Sequence, residues 1–391
     1  MSKLDELIKD LCPDGVEYRS IGEVCVFQRG KSITQKDVTD GCVPVIAGGQ
    51  KPAYYHNIFN RAGETIVISS SGAYAGFVSY WDIPIFLSDS FSVNPDKSHL
   101  TLKYVFYYLK SIQEKIHDTK KGGGVPHVHG SSIAHFQIPA PPLPVQKEIV
   151  QILDKFTLLE AELKAELKAR KKQYEYYRDE LLTFDGEEEH NCINSQTGNK
   201  VQWLTLGDIG KISMCKRIFK EQTSAEGEIP FYKIGTFGKV ADSYIPRKIF
   251  EEYKEKYSYP KKGDVLISAS GTIGRTVIFD GKPSYFQDSN IIWIANNEKA
   301  ILNKYLYYVY TVVKWGASKG GAISRIYNEN VKKIPIPVPP LAEQERIVAI
   351  LDRFDALVND ISKGLPAEIE ARRKQYEYYR DKLFTFKEKI S

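Results

Sequence analysis

The sequence is poor in cysteine and has no long uninterrupted apolar stretch. Its five cysteines are an odd number and form no CxxC pair, which argues against a disulfide framework and favours a reduced compartment. Charged residues interrupt each apolar run before the roughly 20 residues that a membrane span needs. No secretory leader is recognisable at the start of the chain. We therefore expect a cytoplasmic protein that does not cross a membrane.

Catalytic motifs are also scarce. Gly30-Lys31-Ser32 resembles the end of a phosphate-binding loop, but Cys25 stands where the first glycine of that motif belongs. Pro95-Asp96 followed by Asp118-Thr119-Lys120 matches the spacing of metal-dependent nucleases only loosely. Because so short a pattern often arises by chance, we predict no nuclease site.

The histidines do not complete a metal site. His127 and His129, with His135 behind them, alternate as strand residues would, but no cysteine or carboxylate cluster completes a ligand set. The Asn-Pro-Pro-aromatic signature of amino-methyltransferases and a glycine-rich cofactor loop are both absent. The chain is therefore predicted to be non-catalytic and to use no metal or cofactor, so any methyl transfer must come from a partner.

What the sequence has instead is an internal duplication. The segment Ala169–Phe184 returns as Ala371–Phe386 with 13 of 16 positions identical, and Ile138–Phe156 returns as Ile336–Phe354 with 12 of 19 identical. The second pair of blocks is 198 residues apart, which is too long a period for a solenoid repeat. With 391 residues and 42% hydrophobic content, the chain is long enough for two copies of one domain-sized unit, each with its own core.

Each copy predicts a long helix after a proline-rich connector, which is Ile138–Pro144 in the first copy. We expect this connector to be extended and to lie outside the helix. The apolar residues that follow recur every three or four positions, as in a coiled coil, over about 40 residues or roughly 60 Å. The first helix contributes Ile149, Ile152, Phe156, Leu159, Leu163, Leu167, Tyr174, Tyr177 and Leu181, and the second Ile347, Ile350, Phe354, Leu357, Ile361, Ile369, Tyr376, Tyr379 and Leu383. The two stripes predict that the helices pair.

The second helix is expected to be interrupted. The two duplicated blocks are 198 residues apart at Ile138 and Ile336 but 202 apart at Ala169 and Ala371. The four extra residues fall within the five-residue segment Ser362–Pro366, where glycine favours a helix end and proline a helix start. We predict a break near Leu365, while the first helix runs unbroken past Leu163.

Before each long helix the sequence predicts a β-rich lobe with short strands separated by Gly, Ser and Pro. The predicted domains are a short N-terminal helix at 1–15, a first lobe at 16–144, a long helix at 145–185, a linker at 186–199, a second lobe at 200–342 and a second long helix at 343–386. A Ser-Gly pair followed by a second glycine occurs in both lobes, at Ser71-Gly72 and Ser270-Gly271. We match Asp89-Ser90 in the first lobe with Asp288-Ser289 in the second.

The net positive charge of the chain lies in the two lobes. Residues 16–135 contain 12 Lys/Arg and 10 Asp/Glu, residues 200–333 contain 22 and 13, and the rest of the chain contains 20 and 26. Basic charge on the lobes, and not on the helices, is typical of a protein that binds a polyanion.

The doubled Pro-Pro-Leu block, the doubled YEYYRD block and the two dissimilar lobes resemble the specificity subunits of type I restriction-modification systems. The resemblance implies an α/β (α+β) protein in which two long antiparallel coiled-coil helices join two target recognition domains with pseudo-twofold symmetry. It further implies that each lobe reads one half of a split site in double-stranded DNA. The implied partners are two methyltransferase subunits, with restriction subunits joining through them. The N-terminal helix would pack beside the C-terminal one.

The candidate DNA-binding residues are basic or polar and lie in predicted loops, where Lys and Arg suit phosphates, Arg suits guanine, and glycine allows close approach of the backbone. They are Arg29, Lys31, Ser71, Gly72, Lys120, Lys121, Gly122 and His127 in the first lobe, and Lys216, Arg217, Ser270, Gly271, Arg275, Lys319, Gly320 and Arg325 in the second. The alternatives are a recognition subunit of another bipartite-site enzyme, a nuclease or methyltransferase with an unrecognised site, and a coiled-coil assembly protein without a DNA role.

Overall fold

The computed structural model describes residues 2–184, 201–316 and 325–389. The chain divides into two compact units, Met1–Ala165 with Ala367–Ser391 as unit 1 and Glu166–Pro366 as unit 2. The predicted linker at 186–199 and the candidate residues Lys319 and Gly320 lie outside the described residues. Within those residues, no helix has both the length and the apolar character that a membrane crossing requires.

The lobe of unit 1 contains nine short strands and four short helices between α1 and the long helix. In chain order, its elements are α1 Lys3–Leu11, β1 Tyr18–Ser20, α2 Ile21–Val24, β2 Cys25–Arg29, β3 Val43–Ile46, β4 Tyr54–His56, β5 Thr65–Ser69, β6 Val78–Trp81, β7 Phe86–Leu87, β8 Ser90–Pro95, α3 Leu102–Ser111, α4 Gln113–Asp118, α5 Gly130–Ile133 and β9 Gln137–Pro139. The predicted N-terminal helix and β-rich lobe are confirmed.

Unit 1 is organised around a four-stranded antiparallel sheet with the order β2-β8-β5-β6. All five residues of β5 are buried, so this short apolar run forms the centre of the sheet. Tyr104 and Val105 of α3 pack against it in one core cluster. A three-stranded sheet, β4-β3-β7, and a β1-β9 pair complete the lobe.

Unit 2 repeats this plan. Its lobe contains β10 Gln202–Thr205, α7 Leu206–Ile209, β11 Lys211–Ser213, β12 Ile229–Tyr232, β13 Tyr244–Ile245, α8 Arg247–Lys256, β14 Val265–Ser268, β15 Thr276–Ile278, β16 Tyr285–Phe286, β17 Ile291–Ala295, α9 Asn303–Val312, α10 Asn328–Lys332 and β18 Pro335–Val338. The sheets are β11-β17-β14-β15, β13-β12-β16 and β10-β18, the same order as in unit 1. The duplicated framework predicted from the sequence is therefore confirmed.

The long helices differ as predicted. The first, α6, runs without a break from Leu143 to Leu182, whereas the second is divided into α11 Leu341–Asn359 and α12 Leu365–Leu383. The Gly364 N–H bonds the Asp360 carbonyl at 3.0 Å and closes the turn between them. Ile361 falls in this break and is 86% exposed, so its assignment to the apolar stripe was wrong.

Helix α6 also starts earlier than expected. Pro144 belongs to its first turn, so the prediction that the whole proline-rich connector lies outside the helix was wrong. Proline is tolerated there because a first-turn N–H has no partner within the helix.

Within each unit, the stripes of the long helices pack against one another. In unit 1, Phe156 of α6 lies 5.8 Å from Tyr379 of α12, ring centroid to centroid. The start of α6 shares a core cluster with the end of α12, through Ile149 and Leu383, so the two helices are antiparallel. In unit 2, the ring of Tyr177 lies 5.6 Å from that of Phe354.

The N-terminal helix packs in unit 1 as the resemblance implied. Leu4 of α1 and Phe384, just after α12, belong to the same core cluster. Two main-chain hydrogen bonds join the neighbouring segments, from the Val16 N–H to the Lys387 carbonyl at 2.8 Å and from the Lys389 N–H to the Val16 carbonyl at 3.0 Å.

Candidate nucleic-acid interface

In unit 1, the candidate residues cluster around the turn that joins β5 to β6. Gly72 has a φ of 81° and its N–H donates to the Pro126 carbonyl at 3.0 Å, while Ser71 forms a β-bridge with His127. Lys121 and His127 exchange main-chain hydrogen bonds of 2.9 and 2.8 Å. The structure therefore brings Ser71, Gly72, Lys121 and His127 together, although 50 residues of sequence separate Ser71 from Lys121.

The end of β2 faces the same region. Arg29 and His127 both line an open cavity of about 810 Å³, together with Asp89 and the aromatic residues Phe27 and Tyr54. The exposed Lys31 follows two residues later, and its N–H donates to the Leu87 carbonyl at 2.9 Å. Half-buried Lys120 lies just beyond α4, with its N–H on the His117 carbonyl at 3.1 Å.

Sequence reasoning missed the residue that holds the end of β2. The Arg61 guanidinium donates to the carbonyls of Gln28 and Arg29 at 3.2 and 3.0 Å and to the Ser92 hydroxyl at 3.0 Å. Burial lowers the pKa of Arg61 from its ordinary value. The guanidinium therefore supports the backbone that carries the candidate residue Arg29.

The turn in unit 1 is held by side chains of α4. Gln113 donates to the Gly76 carbonyl at 2.7 Å and accepts from the Val78 N–H at 3.0 Å. A ring nitrogen of His117 lies 2.9 Å from the Ala75 carbonyl oxygen. These contacts were also missed, because no local pattern marks a glutamine whose partners lie more than 30 residues away.

In unit 2, an equivalent turn joins β14 to β15. Gly271 and Gly274 have φ values of 66° and 82°, and Ser270 forms a β-bridge with Arg325. A Cβ atom added to Gly274 would lie 2.4 Å from the ring of Trp315, so this tryptophan packs directly on the turn. Ser270, Gly271 and Arg325 are thus brought together as their counterparts are in unit 1.

The side chains of the remaining cations in unit 2 form other contacts. Arg275 leaves the turn and donates from its guanidinium to the Phe237 carbonyl at 3.0 Å. Arg217 forms an ion pair of 2.9 Å with Asp288. The Lys216 ammonium lies 5.0 Å from the centre of the Tyr257 ring. No contact within the described residues brings Lys216 to the turn.

Strand pairing corrects one of our sequence matches. Ser69 pairs with Ser90 in unit 1, and Ser268 pairs with Ile291 in unit 2. The Asp89 carbonyl accepts from the Ser70 N–H at 3.3 Å, and the Asn290 carbonyl accepts from the Ala269 N–H at 2.8 Å. Asp89 therefore corresponds to Asn290, and the match with Asp288 was wrong.

The mismatch arises because unit 2 has two additional residues before this position. In the parallel strand pairs, the Ser88 N–H bonds the Ile46 carbonyl and the Gln287 N–H bonds the Tyr232 carbonyl, so Ser88 and Gln287 correspond. Asp288 and Ser289 form the insertion. Its Asp288 pairs with Arg217, and its Ser289 carbonyl accepts from the Arg325 guanidinium at 3.2 Å.

The histidines do not form part of a larger ligand cluster. The rings of His127 and His129 stack with centroids 6.3 Å apart. Over the described ranges, no group of three or more His, Cys, Asp or Glu side chains is placed to hold a metal ion.

Comparison with known proteins defines the class. The model of the type I restriction modification DNA specificity domain matches the chain twice, over residues 13–169 and 199–371. These ranges cover both lobes and most of the long helices. The chain belongs to the family of type I restriction-modification specificity subunits.

Individual relatives match this chain along nearly their whole length. A protein of Haemophilus influenzae named as a type I restriction enzyme specificity subunit is 44% identical over 95% of this chain and 96% of its own length. The EcoR124I/EcoR124II specificity subunit of Escherichia coli is 32% identical over 99% and 98%. The crystal structure of an S subunit from M. genitalium shares the fold with a TM-score of 0.60 and 20% identity, covering 95% of this chain and 96% of that one.

Proposed function

We propose that this chain is the non-catalytic subunit of a type I restriction-modification complex that reads a split site in double-stranded DNA, with one lobe for each half. The observation that carries the proposal is the repeated turn. Both lobes present a Ser-Gly turn on the same sheet framework, but surround it with different side chains. A common framework with different surfaces is what reading two different half-sequences requires.

The candidate residues have the chemistry of this role. Arg29, Lys31, Lys120, Lys121 and His127 in the first lobe, and Lys216, Arg217, Arg275, Lys319 and Arg325 in the second, would contact phosphates or guanine. Gly72 and Gly271 would allow the DNA backbone to approach, because a Cβ at Gly72 would meet nothing within 4 Å and one at Gly271 only Ile234 at 3.7 Å. Ser71 and Ser270, the other candidate DNA-binding residues, lie directly before these two glycines in the chain.

The paired helices would join this subunit to its partners. Duplicated helical segments in one chain suit two copies of the same partner, which supports docking of two methyltransferase subunits, with restriction subunits bound through them. A structure solved to explain complex assembly in the type I R-M system has the same fold, with 19% identity and a TM-score of 0.58.

Salt-dependent DNA binding tests the proposal. Binding of the whole chain to a duplex carrying the site should weaken steeply as salt rises, because basic loops displace counterions from phosphates. Lys121→Glu should impair binding through the first half-site and Lys216→Glu through the second, as measured on duplexes with one half scrambled. Lys168→Glu, an exposed change on α6, is the matched control. Affinity that stays constant with salt would contradict the proposal.

A stand-alone enzyme is the competing function. Incubating the purified chain with DNA, Mg²⁺ and a methyl donor should give neither cleavage nor methylation. Either product would show that the chain has its own catalytic site.

A further inference from the structure

Asp89 in unit 1 and Asn290 in unit 2 occupy the same position beside the Ser-Gly turn. The Ser71 hydroxyl donates to the Asp89 carboxylate, and the Ser270 hydroxyl donates to the Asn290 side-chain oxygen at 2.8 Å. Ser70 adds a second hydroxyl to Asp89 at 2.8 Å. Both side chains are therefore fixed by the serine of the turn, although one is an anion and the other a neutral amide.

This position is unsuited to a phosphate. The hydroxyl protons of Ser70 and Ser71 are already donated to Asp89, and a phosphate offers only acceptors. The carboxylate would also repel a phosphate. The residues best placed to contact phosphates in this lobe are instead the surrounding cations, Arg29 and Lys121.

The free side of Asp89 is an outward-facing acceptor. A carboxylate has about four lone-pair sites, of which the two serines use one on each oxygen. Asp89 is exposed and lines the same cavity as Arg29 and His127, and in the part of the chain that the structure describes its carboxylate is bonded by the two serines and by no cation. An acceptor of this kind suits the exocyclic amino group of cytosine or adenine in the major groove and disfavours the oxygen that guanine or thymine presents there.

Asn290 offers a different set of hydrogen-bonding groups. Its side-chain oxygen accepts from Ser270, and within the described residues its amide nitrogen has no hydrogen-bond partner. The amide can therefore donate to a base and share its oxygen as an acceptor, as asparagine does with N7 and N6 of adenine.

We propose that Asp89 and Asn290 are the base-reading residues at one shared position of the two lobes. Asp89 selects a base that donates an amino proton, and Asn290 selects adenine, to which its amide can both donate a hydrogen bond and accept one. This inference rests on the proposed function and adds which side chains distinguish the two half-sites.

Exchanging the carboxylate and the amide between the two positions tests the proposal. The whole chain is incubated with a randomised duplex library, and the retained duplexes are sequenced for the wild type, Asp89→Asn and Asn290→Asp. We expect Asp89→Asn to change the preferred base by about tenfold at one position of one half-site, the size of one good base contact. Asn290→Asp should do so in the other half-site only.

Two further variants distinguish a role in base recognition from a role in supporting the turn. Ser71→Ala removes a hydrogen bond but leaves the carboxylate, so it should weaken binding while retaining the preferred base. Asp82→Asn, an exposed change between β6 and β7, should retain both affinity and preference.

The outcomes distinguish two kinds of failure. A uniform loss of affinity in Asp89→Asn with an unchanged base preference would overturn the inference and leave these side chains as supports of the turn. A change in both half-sites from one substitution would overturn it as well. A wild-type chain that enriches no sequence at all would instead overturn the proposed function.

Discussion

The two units fix the same turn by different means. In unit 1, Gln113 and His117 of α4 bond three backbone groups of the turn, whereas in unit 2 the ring of Trp315 packs on Gly274. The glycines of both turns have positive φ angles, and the order of the strands is the same in both units. The turn is therefore common to both lobes, while its supporting contacts and surrounding charges differ.

The largest expected effect comes from exchanging a whole lobe. Residues 16–135 contain the strands of both larger sheets of the first lobe, so we expect their replacement by the same segment of a relative to change one half of the recognised sequence completely and leave the other unchanged. Methylation mapping in a host that carries the partner subunits measures this. Exchange of 200–333 is the reciprocal control. Joint change of both halves would show that the lobes do not read independently.

The unbroken and interrupted helices give the second prediction. Deleting Glu162–Ala165 from α6 removes about one helical turn, or roughly 6 Å, without touching either lobe. If the helices set the distance between the lobes, the unread spacer of the methylated site should change length while both half-sequences stay the same. The same mapping decides it. An active variant with an unchanged spacer would show that other contacts position the lobes.

The glycines of the two turns should differ strongly in how well they tolerate substitution by alanine. Gly274→Ala would place a Cβ 2.4 Å from the Trp315 ring and also hold alanine at a φ of 82°. We expect the free energy of unfolding to fall by about 2–5 kcal/mol, because overpacking and backbone strain add together.

Gly72→Ala is the matched comparison. It has a similar φ of 81° and open space around the added atom, so only the strain of about 1–2 kcal/mol should remain. Denaturant unfolding of both variants measures the difference, and equal losses would contradict the packing role of Trp315.

The polar support in unit 1 should have a smaller effect. Gln113→Leu removes the partners of the Gly76 carbonyl and the Val78 N–H, which should cost about 1–3 kcal/mol. Gln113→Glu keeps an acceptor for the Val78 N–H but places a second acceptor against the Gly76 carbonyl, so it should also lose stability. Thermal unfolding measures both variants, and binding to the half-site read by the second lobe should stay unchanged. Indistinguishable melting of Gln113→Leu and wild type would show that α4 does not support the turn.

Features with a local cause were predictable from the sequence. Gly364 and Pro366 determined the helix break, and the apolar spacing determined both long helices. The paired glycines marked the turns because a positive φ is a property of the residue itself.

Features that depend on strand pairing were not predictable in this way. The two-residue insertion at Asp288-Ser289 is hidden by its chance similarity to Asp89-Ser90, and the strand pairing on either side of it reveals it. The supports Arg61, Gln113 and Trp315 contact groups that are distant in sequence or defined only by the fold, so their residue types alone gave no signal.

Unit 1 is made of two separate segments of the chain, which has a consequence for its folding during synthesis. Unit 2 is one continuous stretch, but unit 1 combines Met1–Ala165 with Ala367–Ser391. The ring of Phe384 lies 5.2 Å from that of Tyr104 and 5.5 Å from that of Tyr108, inside the first core. Because the ribosome makes the chain from its N-terminus, the unit that begins first is completed last. A nascent chain stalled before Phe384 would hold a finished second unit and a first unit with its aromatic core still open.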